Sequence, residues 1–449
     1  MASVFSNAYI AMNEAAVSSP EIAHRRAAAR ALYDQGALAE AERAFRDLLR
    51  DVPDDVDALN ALAVCAHARR QPDEALSYLE QARRAYPQHP ATLVNLGVLQ
   101  RERGHLDAAH AALKRGIELA PDLIDARLRL GELLQAMGRH AEAVPVYYGA
   151  IFMAQQRGQW TDAASTPAEL RPLVEHAVHF VNTRRRDLFM RLLEPLRERY
   201  GSAALMRVEK CLAIQLGMLQ PNYPDPAQKP TFLYFPDLPT VKAFDRGLFP
   251  WYADLEAQTP AIRQEMLAMF EGHIGFEPFL GHVSDVATKD LLKGHSGPPS
   301  WTAFFFYRHG ERNAANARRC PHTIAAIDAV PTLCRVRAHG PEVCFSALTP
   351  GTHILPHYGV TNTRLVTHLP LVVPKGDLAL DVSGHTLHWE EGRCFSFDDS
   401  YNHESWNRTA HLRVVVLLDV WNPYLTDIER EAIALLVCAI GDFNRSAGV

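Results

Sequence analysis

The sequence predicts a multidomain α + β chain, an all-α solenoid of helical repeats followed by a domain of short β-strands. Three observations carry this prediction. Small and bulky residues recur with a 34-residue period through the first third of the chain. Residues 1–150 hold 33 Ala, no Trp and only two of the 19 Phe, whereas 13 of the 21 His lie after residue 270. Beyond Trp301 the apolar residues gather into short Phe-, Val-, Leu- and Thr-rich runs separated by turn residues, the pattern of strands.

The repeat comes first. Pro53, Pro87 and Pro121 stand in phase, as do Ala41, Ala75, Ala109 and Ala143. Ala29, Ala63, Gly97 and Gly131 are always small, and Phe45, Leu79, Leu113 and Tyr147 always large. Gly36, Gly104 and Gly138 mark a turn, with Arg70 as the exception. Such a unit is a helix–turn–helix: small residues sit where helices cross closely, the large residue fills the space between units, and proline ends the second helix. The pattern resembles the tetratricopeptide repeat, with units at 22–55, 56–89, 90–123 and 124–157, the last ending in Gln155 where proline is expected. Solenoids of this kind hold extended peptides in a concave groove.

Residues 1–21 form an N-terminal extension with neither the basic start nor the apolar core of a secretory signal. Residues 158–216 keep a helical pattern without the period (Leu170–Val181, Asp187–Arg199) and read as a cap on the solenoid. The run Arg184–Arg186 reads as a solvated face. Proline is dense from 217 to 240, marking a linker or an irregular lead-in to the second domain, 241–449. In that domain a helix is expected at Thr259–Glu271. Strands are expected at Trp301–Tyr307, Val343–Leu348, Leu365–Val373, Leu378–Val382, Cys394–Phe397 and Leu412–Val420. This is a β-sandwich or barrel, the jelly roll among the candidates.

Composition excludes several classes. A formal charge of −6 and a pI near 6.4 argue against a nucleic-acid binder, which would carry a basic stripe. Seven scattered Cys without a C-x-x-C pair fit neither a disulfide framework nor a structural zinc site. No apolar run approaches the ~18 residues of a membrane span. The expectation is a soluble, cytoplasmic protein.

Two histidines are placed for chemistry. His357 lies in PHYG after the turn Thr349–Gly351, and His403 in FDDSYNHESW; Arg413 follows ten residues later. This order resembles that of jelly-roll Fe(II) and 2-oxoglutarate oxygenases. Neutral imidazoles suit Fe(II), though they accept other divalent ions too. A buried dicarboxylate needs a fork-shaped permanent cation, which Arg supplies. The usual facial triad has an acid two residues after the first His, yet that position is Gly359. Glu404 is an alternative ligand, disfavoured because neighbours in an extended segment face opposite ways. Asp398 and Asp399 either support His403 or end the strand before it.

The segments WTAFFFYRHGERNAANARRCP, LTPGTHILPHYGVTNTRL, HWEEGRCFSFDDSYNHESWN and LRVVVLLDVWNP, running from Trp301 to Pro423, resemble the aspartyl/asparaginyl β-hydroxylase family. Its animal peptidyl hydroxylases also carry tetratricopeptide repeats, after a membrane anchor that is not expected for this chain. The resemblance implies a double-stranded β-helix (jelly-roll, cupin-like) oxygenase domain using Fe(II), 2-oxoglutarate and O2. It implies two histidines and no carboxylate on the iron, so that Gly359 agrees with the family. It assigns His357 and His403 to the metal, and Arg413 and Ser346 to the distal carboxylate of 2-oxoglutarate. His368 would contact the cosubstrate, Trp301 would line its pocket, and Arg364 would contact a substrate carboxylate. The family's second substrate arginine is replaced by Val366.

The implied activity is hydroxylation of the β-carbon of aspartyl or asparaginyl residues in a protein or peptide held by the repeat groove. The alternatives are hydroxylation of a small molecule or a lipid acyl chain, with the repeats used for assembly, and a non-catalytic repeat scaffold with a vestigial barrel.

Overall fold

The computed structural model describes residues 19–272, 274–280, 291–294 and 300–449; all but the last three residues of the expected extension 1–21 lie outside them. The chain divides into two compact units, Met1–Leu188 with Asp442–Val449, and Phe189–Gly441.

The first unit contains four helical hairpins: α1–α2 (Pro20–Asp34, Leu38–Asp51), α3–α4 (Val56–Ala68, Pro72–Ala85), α5–α6 (Pro90–Glu102, Leu106–Leu119) and α7–α8 (Ile124–Ala136, His140–Gln156). The in-phase residues explain their shape. Ala41, Ala75, Ala109 and Ala143 are fully buried. A Cβ on Gly97 would lie 2.6 Å from Leu113 Cγ, and one on Gly131 2.5 Å from Tyr147 Cδ1. The large residue therefore packs against the small residue of its own hairpin rather than between units, because the two helices cross there at their closest approach. The turn glycines have φ of +78°, +80° and +73°, and Arg70 adopts the same left-handed conformation at +61°. Without a terminating proline, α8 runs to 17 residues against 14 for α2, α4 and α6. In the Arg184–Arg186 run, Arg184 and Arg186 are exposed, whereas Arg185 stacks 4.5 Å from the Tyr148 ring centroid.

Three further helices follow, α9 (Arg171–Leu192), α10 (Glu194–Tyr200) and α11 (Ser202–Gln215). The second unit is built on two antiparallel sheets. The larger contains β1 (Glu277–Pro278), β3 (Trp301–Arg308), β5 (Val343–Leu348), β12 (Arg413–Trp421), β7 (Arg364–Val372) and β10 (Phe395–Phe397) in that order, with β4 (Glu311–Arg312) beside β3. The smaller contains β2 (Leu292–Gly294), β6 (Thr352–His357), β11 (His403–Asn407), β8 (Leu378–Val382) and β9 (His385–Leu387). The period-2 alternation of a strand sorts their side chains. On β12, Val414, Val416, Leu418 and Val420 join an apolar cluster with helix residues such as Ile262, Met266, Ile324 and Ile327. The alternate residues Arg413, Val415, Leu417 and Asp419 face the space between the sheets, where Leu380 and Val382 of the smaller sheet meet Val415 and Leu417.

Of the expected elements, the helix Thr259–Glu271 and all six strands are present within a residue or so of their limits. The strands β6 and β11, which bear the two histidines, were not expected. The proline-dense stretch is an irregular lead-in rather than a free linker. Thr231 N donates to Gly359 O (3.0 Å), Leu233 N to Val360 O (2.9 Å), and Lys229 N to Ser400 O (2.8 Å). Among the described residues, no helix is long and apolar enough to cross a membrane.

Candidate active site

His357 closes β6 and His403 opens β11, and the two stand directly opposite each other in the antiparallel register. A cross-strand pair places both rings on one face of the sheet, with centroids 4.1 Å apart. The same device fixes each ring: His357 Nδ1 donates to Leu355 O (2.8 Å), and His403 Nδ1 to Tyr401 O (3.0 Å). A carbonyl only accepts, so the proton sits on Nδ1 and Nε2 keeps its lone pair. Burial pushes His357 down to about 4 and lowers His403 as well, so both rings are neutral. Two neutral imidazoles with free Nε2 atoms are a donor set that fits Fe(II).

Among the described residues no group of three or more His, Cys, Asp or Glu is arranged to hold a metal. The reason at position 359 is steric. A Cβ there would lie 2.2 Å from Asp399 Cγ, so the Asp399 carboxylate occupies the space a side chain would need. Asp399 Oδ1 is buried without a hydrogen-bond partner. Glu404 points elsewhere, its Oε2 lying 2.6 Å from His353 Nε2. Asp398 accepts from Gln228 Nε2 (2.8 Å) and from Ser400, bracing the loop before His403.

Across the cavity, Arg413 opens β12 and is only 2% exposed. No ion pair to it is found among the described residues. Its Nε lacks a partner, Nη1 reaches only Ser346 O at 3.4 Å, and the guanidinium lies 4.9 Å from the Trp389 ring centroid. Burial pulls its pKa down to about 10. A sealed cation without an acid is costly, and an anionic ligand would compensate it. Ser346 Oγ, two residues along the same face of β5 from Cys344, accepts from Trp301 Nε1 (2.9 Å), which leaves its own O–H to donate. Trp301 is held by stacking on Phe279, centroids 3.9 Å apart. His368 has the opposite tautomer to the other two histidines. Trp389 Nε1 donates to its Nδ1 (3.1 Å), so its Nε2 carries the proton, and burial drives its pKa well down.

Arg364, at the start of β7, lies in phase with Val366 and His368. Its Nη1 donates to Asp419 Oδ2 (2.5 Å), which also accepts from Glu342 N (2.8 Å). All seven expected site residues line a single cavity of about 180 Å³ between the sheets. Trp389 and Asp419 were missed. Trp389 fixes both His368 and Arg413 but lies in a turn-rich segment with no spacing signal. Asp419 was legible as an acid inside the otherwise apolar run VVVLLDVW.

Fold and cavity together define a class: a helical-repeat chain joined to a jelly-roll domain with two histidines facing its inter-sheet cavity. The sequence model described as aspartyl/asparaginyl beta-hydroxylase matches residues 256–423, and two tetratricopeptide repeat models match 26–90 and 66–122. The human aspartyl/asparaginyl beta-hydroxylase is 26% identical over 429 residues, 90% of this chain and 54% of that protein. Aspartate beta-hydroxylase domain-containing protein 2 of Rattus norvegicus is 32% identical over 246 residues, 54% of this chain and 68% of that one. The ornithine lipid ester-linked acyl 2-hydroxylase of Rhizobium tropici is 34% identical over 193 residues, 42% of this chain and 64% of that one. The chain belongs to the aspartyl/asparaginyl β-hydroxylase family. It spans about half the length of the human relative.

Proposed function

We propose that the chain is an Fe(II)- and 2-oxoglutarate-dependent hydroxylase. The observation that carries this reading is the pairing, in one cavity, of two neutral imidazoles with free Nε2 atoms and a buried guanidinium with no acid beside it among the described residues. His357 and His403 would hold the metal. Arg413 would take the distal carboxylate of 2-oxoglutarate with a charge-assisted fork, and the Ser346 hydroxyl would donate to the same group. The His368 Nε2–H would donate to another oxygen of the cosubstrate. When bound, Fe(II) and 2-oxoglutarate supply the activation of O2 that inserts one oxygen atom into a C–H bond, with succinate and CO2 as coproducts. The chain contributes orientation and dryness: Ile354, Val366, Leu380, Phe397 and Leu417 line the walls and keep bulk water from the reacting carbon.

For the substrate, the family reading is the β-carbon of an aspartyl or asparaginyl residue in a protein or peptide bound by the repeats. A lipid acyl chain is the second reading, supported by the likeness to the Rhizobium tropici enzyme and by Val366 at the second arginine position. Succinate release from 2-oxoglutarate by Fe(II)-loaded protein tests the chemistry, with His357→Ala and Arg413→Ala as controls. Wild-type protein that neither binds Fe(II) nor turns over would sink the proposal. A one-oxygen mass gain on Asp- or Asn-containing peptides, against the same gain on a lipid acyl chain, separates the two substrates.

A further inference from the structure

The cavity holds two arginines in opposite electrostatic states. Among the described residues Arg413 faces no carboxylate, whereas Arg364 is already paired with Asp419. Two more acids, Glu342 and Asp399, line the cavity and act on Arg364 together with Asp419. Glu342 accepts from the backbone N of His309 (2.6 Å), its side chain lies 2.9 Å from the exposed His309 ring, and the cations that act on it are Arg364 and Arg308. Asp399 Oδ1 is buried with no partner. Around Arg364, then, stand one guanidinium and three carboxylates. Position 366, in phase between Arg364 and His368 where a second cation would project inward, is Val.

Burial already raises Glu342 to about 7 and raises Asp419 as well. Three acids crowded around one guanidinium in a desolvated space oppose the arrival of a fourth. We infer that the substrate group held beside Arg364 is a protonated amine or an N–H donor, not a carboxylate. The inference rests on reading the cavity as a 2-oxoglutarate hydroxylase site. It divides the labour of the two arginines: Arg413 is the anion receptor, and Arg364, tied through Nη1 to Asp419 with its Nε left unpartnered, stands among acceptors that outnumber it. An amine placed there would meet the unpartnered Asp399 oxygen and the Glu342 carboxylate. A free aspartyl side chain would meet them too, and be repelled.

The test uses the full chain loaded with Mn(II) and 2-oxoglutarate in the absence of turnover. Three peptides differing only in a central aspartate, asparagine or 2,4-diaminobutyrate are titrated in by calorimetry. The diaminobutyrate peptide is expected to bind at least about tenfold tighter than the aspartate peptide, with asparagine between them. Glu342→Gln should shrink that gap about tenfold, and Asp419→Asn, which releases Arg364, should tighten the aspartate peptide. Wild-type protein that binds the aspartate peptide as tightly as the others, or binds none of the three, overturns the inference. Mn(II) and 2-oxoglutarate are titrated in the same experiment. If both bind and the charge order fails, this inference alone falls; if neither binds, the hydroxylase reading falls with it.

Discussion

Replacing Arg413 by Met separates a receptor arginine from a structural one, because the two roles predict opposite effects on stability. Hydrogen bonds to charged groups contribute ~1.5–3 kcal/mol each. A two-bond fork to a carboxylate therefore accounts for about 3–6 kcal/mol, or a weakening of 2-oxoglutarate binding by roughly 10²–10⁴. The folded protein carries a cost for holding this cation. Its pKa falls from 12.5 to about 10 on burial, which at 1.36 kcal/mol per unit is about 3 kcal/mol. For a base whose folded pKa is depressed, the unfolded chain binds the proton more firmly. The cost is therefore present throughout neutral pH and is relieved only as pH rises through 10. Met keeps most of the apolar stem and removes the charge. Without ligand, Arg413→Met should unfold no more easily than wild type, and by this arithmetic with more difficulty. Saturating 2-oxoglutarate at about 100 times Kd should stabilise wild type by about 2.7 kcal/mol and leave the variant unchanged. Thermal unfolding with and without 2-oxoglutarate, alongside calorimetric Kd values, reads both effects. A variant destabilised by more than about 2 kcal/mol, or one that binds 2-oxoglutarate within threefold of wild type, would refute the reasoning.

Other expectations follow from single features. Glu342 is raised from 4.5 to about 7 by burial; a raised carboxyl penalises the charged folded state, so the penalty is absent below pH 4.5 and complete above pH 7. Glu342→Gln should stabilise the protein by up to about 3 kcal/mol at pH 8 and not at pH 4, as measured by urea unfolding at the two values. Gly131→Ala drives a Cβ to within 2.5 Å of the Tyr147 ring and should cost ~1–3 kcal/mol by overpacking; Tyr147→Leu in the same chain should recover part of it in thermal unfolding. Gly359→Asp, which restores the usual acid to the sequence motif, should not tighten Mn(II) binding, because Asp399 already fills the space; a rise in Mn(II) affinity would contradict this.

The repeat half was legible because its packing is local. Gly97 and Leu113, or Gly131 and Tyr147, meet within one hairpin, so a fixed period records the contact. The outer sheet was legible because Val414, Val416, Leu418 and Val420 face helices and alternate cleanly. The strands β6 and β11 failed that test for a physical reason. His353, His357, His403, Glu404, Ser405 and Asn407 put polar side chains along both strands, His357, His403 and Ser405 of them facing the cavity, so no apolar alternation marks them. The pairing of Arg364 with Asp419 spans 55 residues and has no linear signature. A motif can assign Arg364 a contact with substrate, but only the three-dimensional arrangement reveals that an internal acid already holds it.

The proline-dense lead-in sets the limits of any fragment meant to carry the chemistry. Residues 228–235 hydrogen-bond to the turn after His357 at Gly359–Val360 and to the loop before His403 at Asp398–Ser400, so one extended segment splints both histidine-bearing loops. Phe235 and Asn362 exchange a further pair of bonds. At the other side, Arg207 of α11 pairs at 2.6 Å with the buried Glu429 of the C-terminal helix Asp427–Ala447. The family match covers 256–423 and so excludes the splint, Arg207 and Glu429 alike. A protein trimmed to those homology limits would keep every residue of the motif and lose the segment that braces the turns next to the two imidazoles.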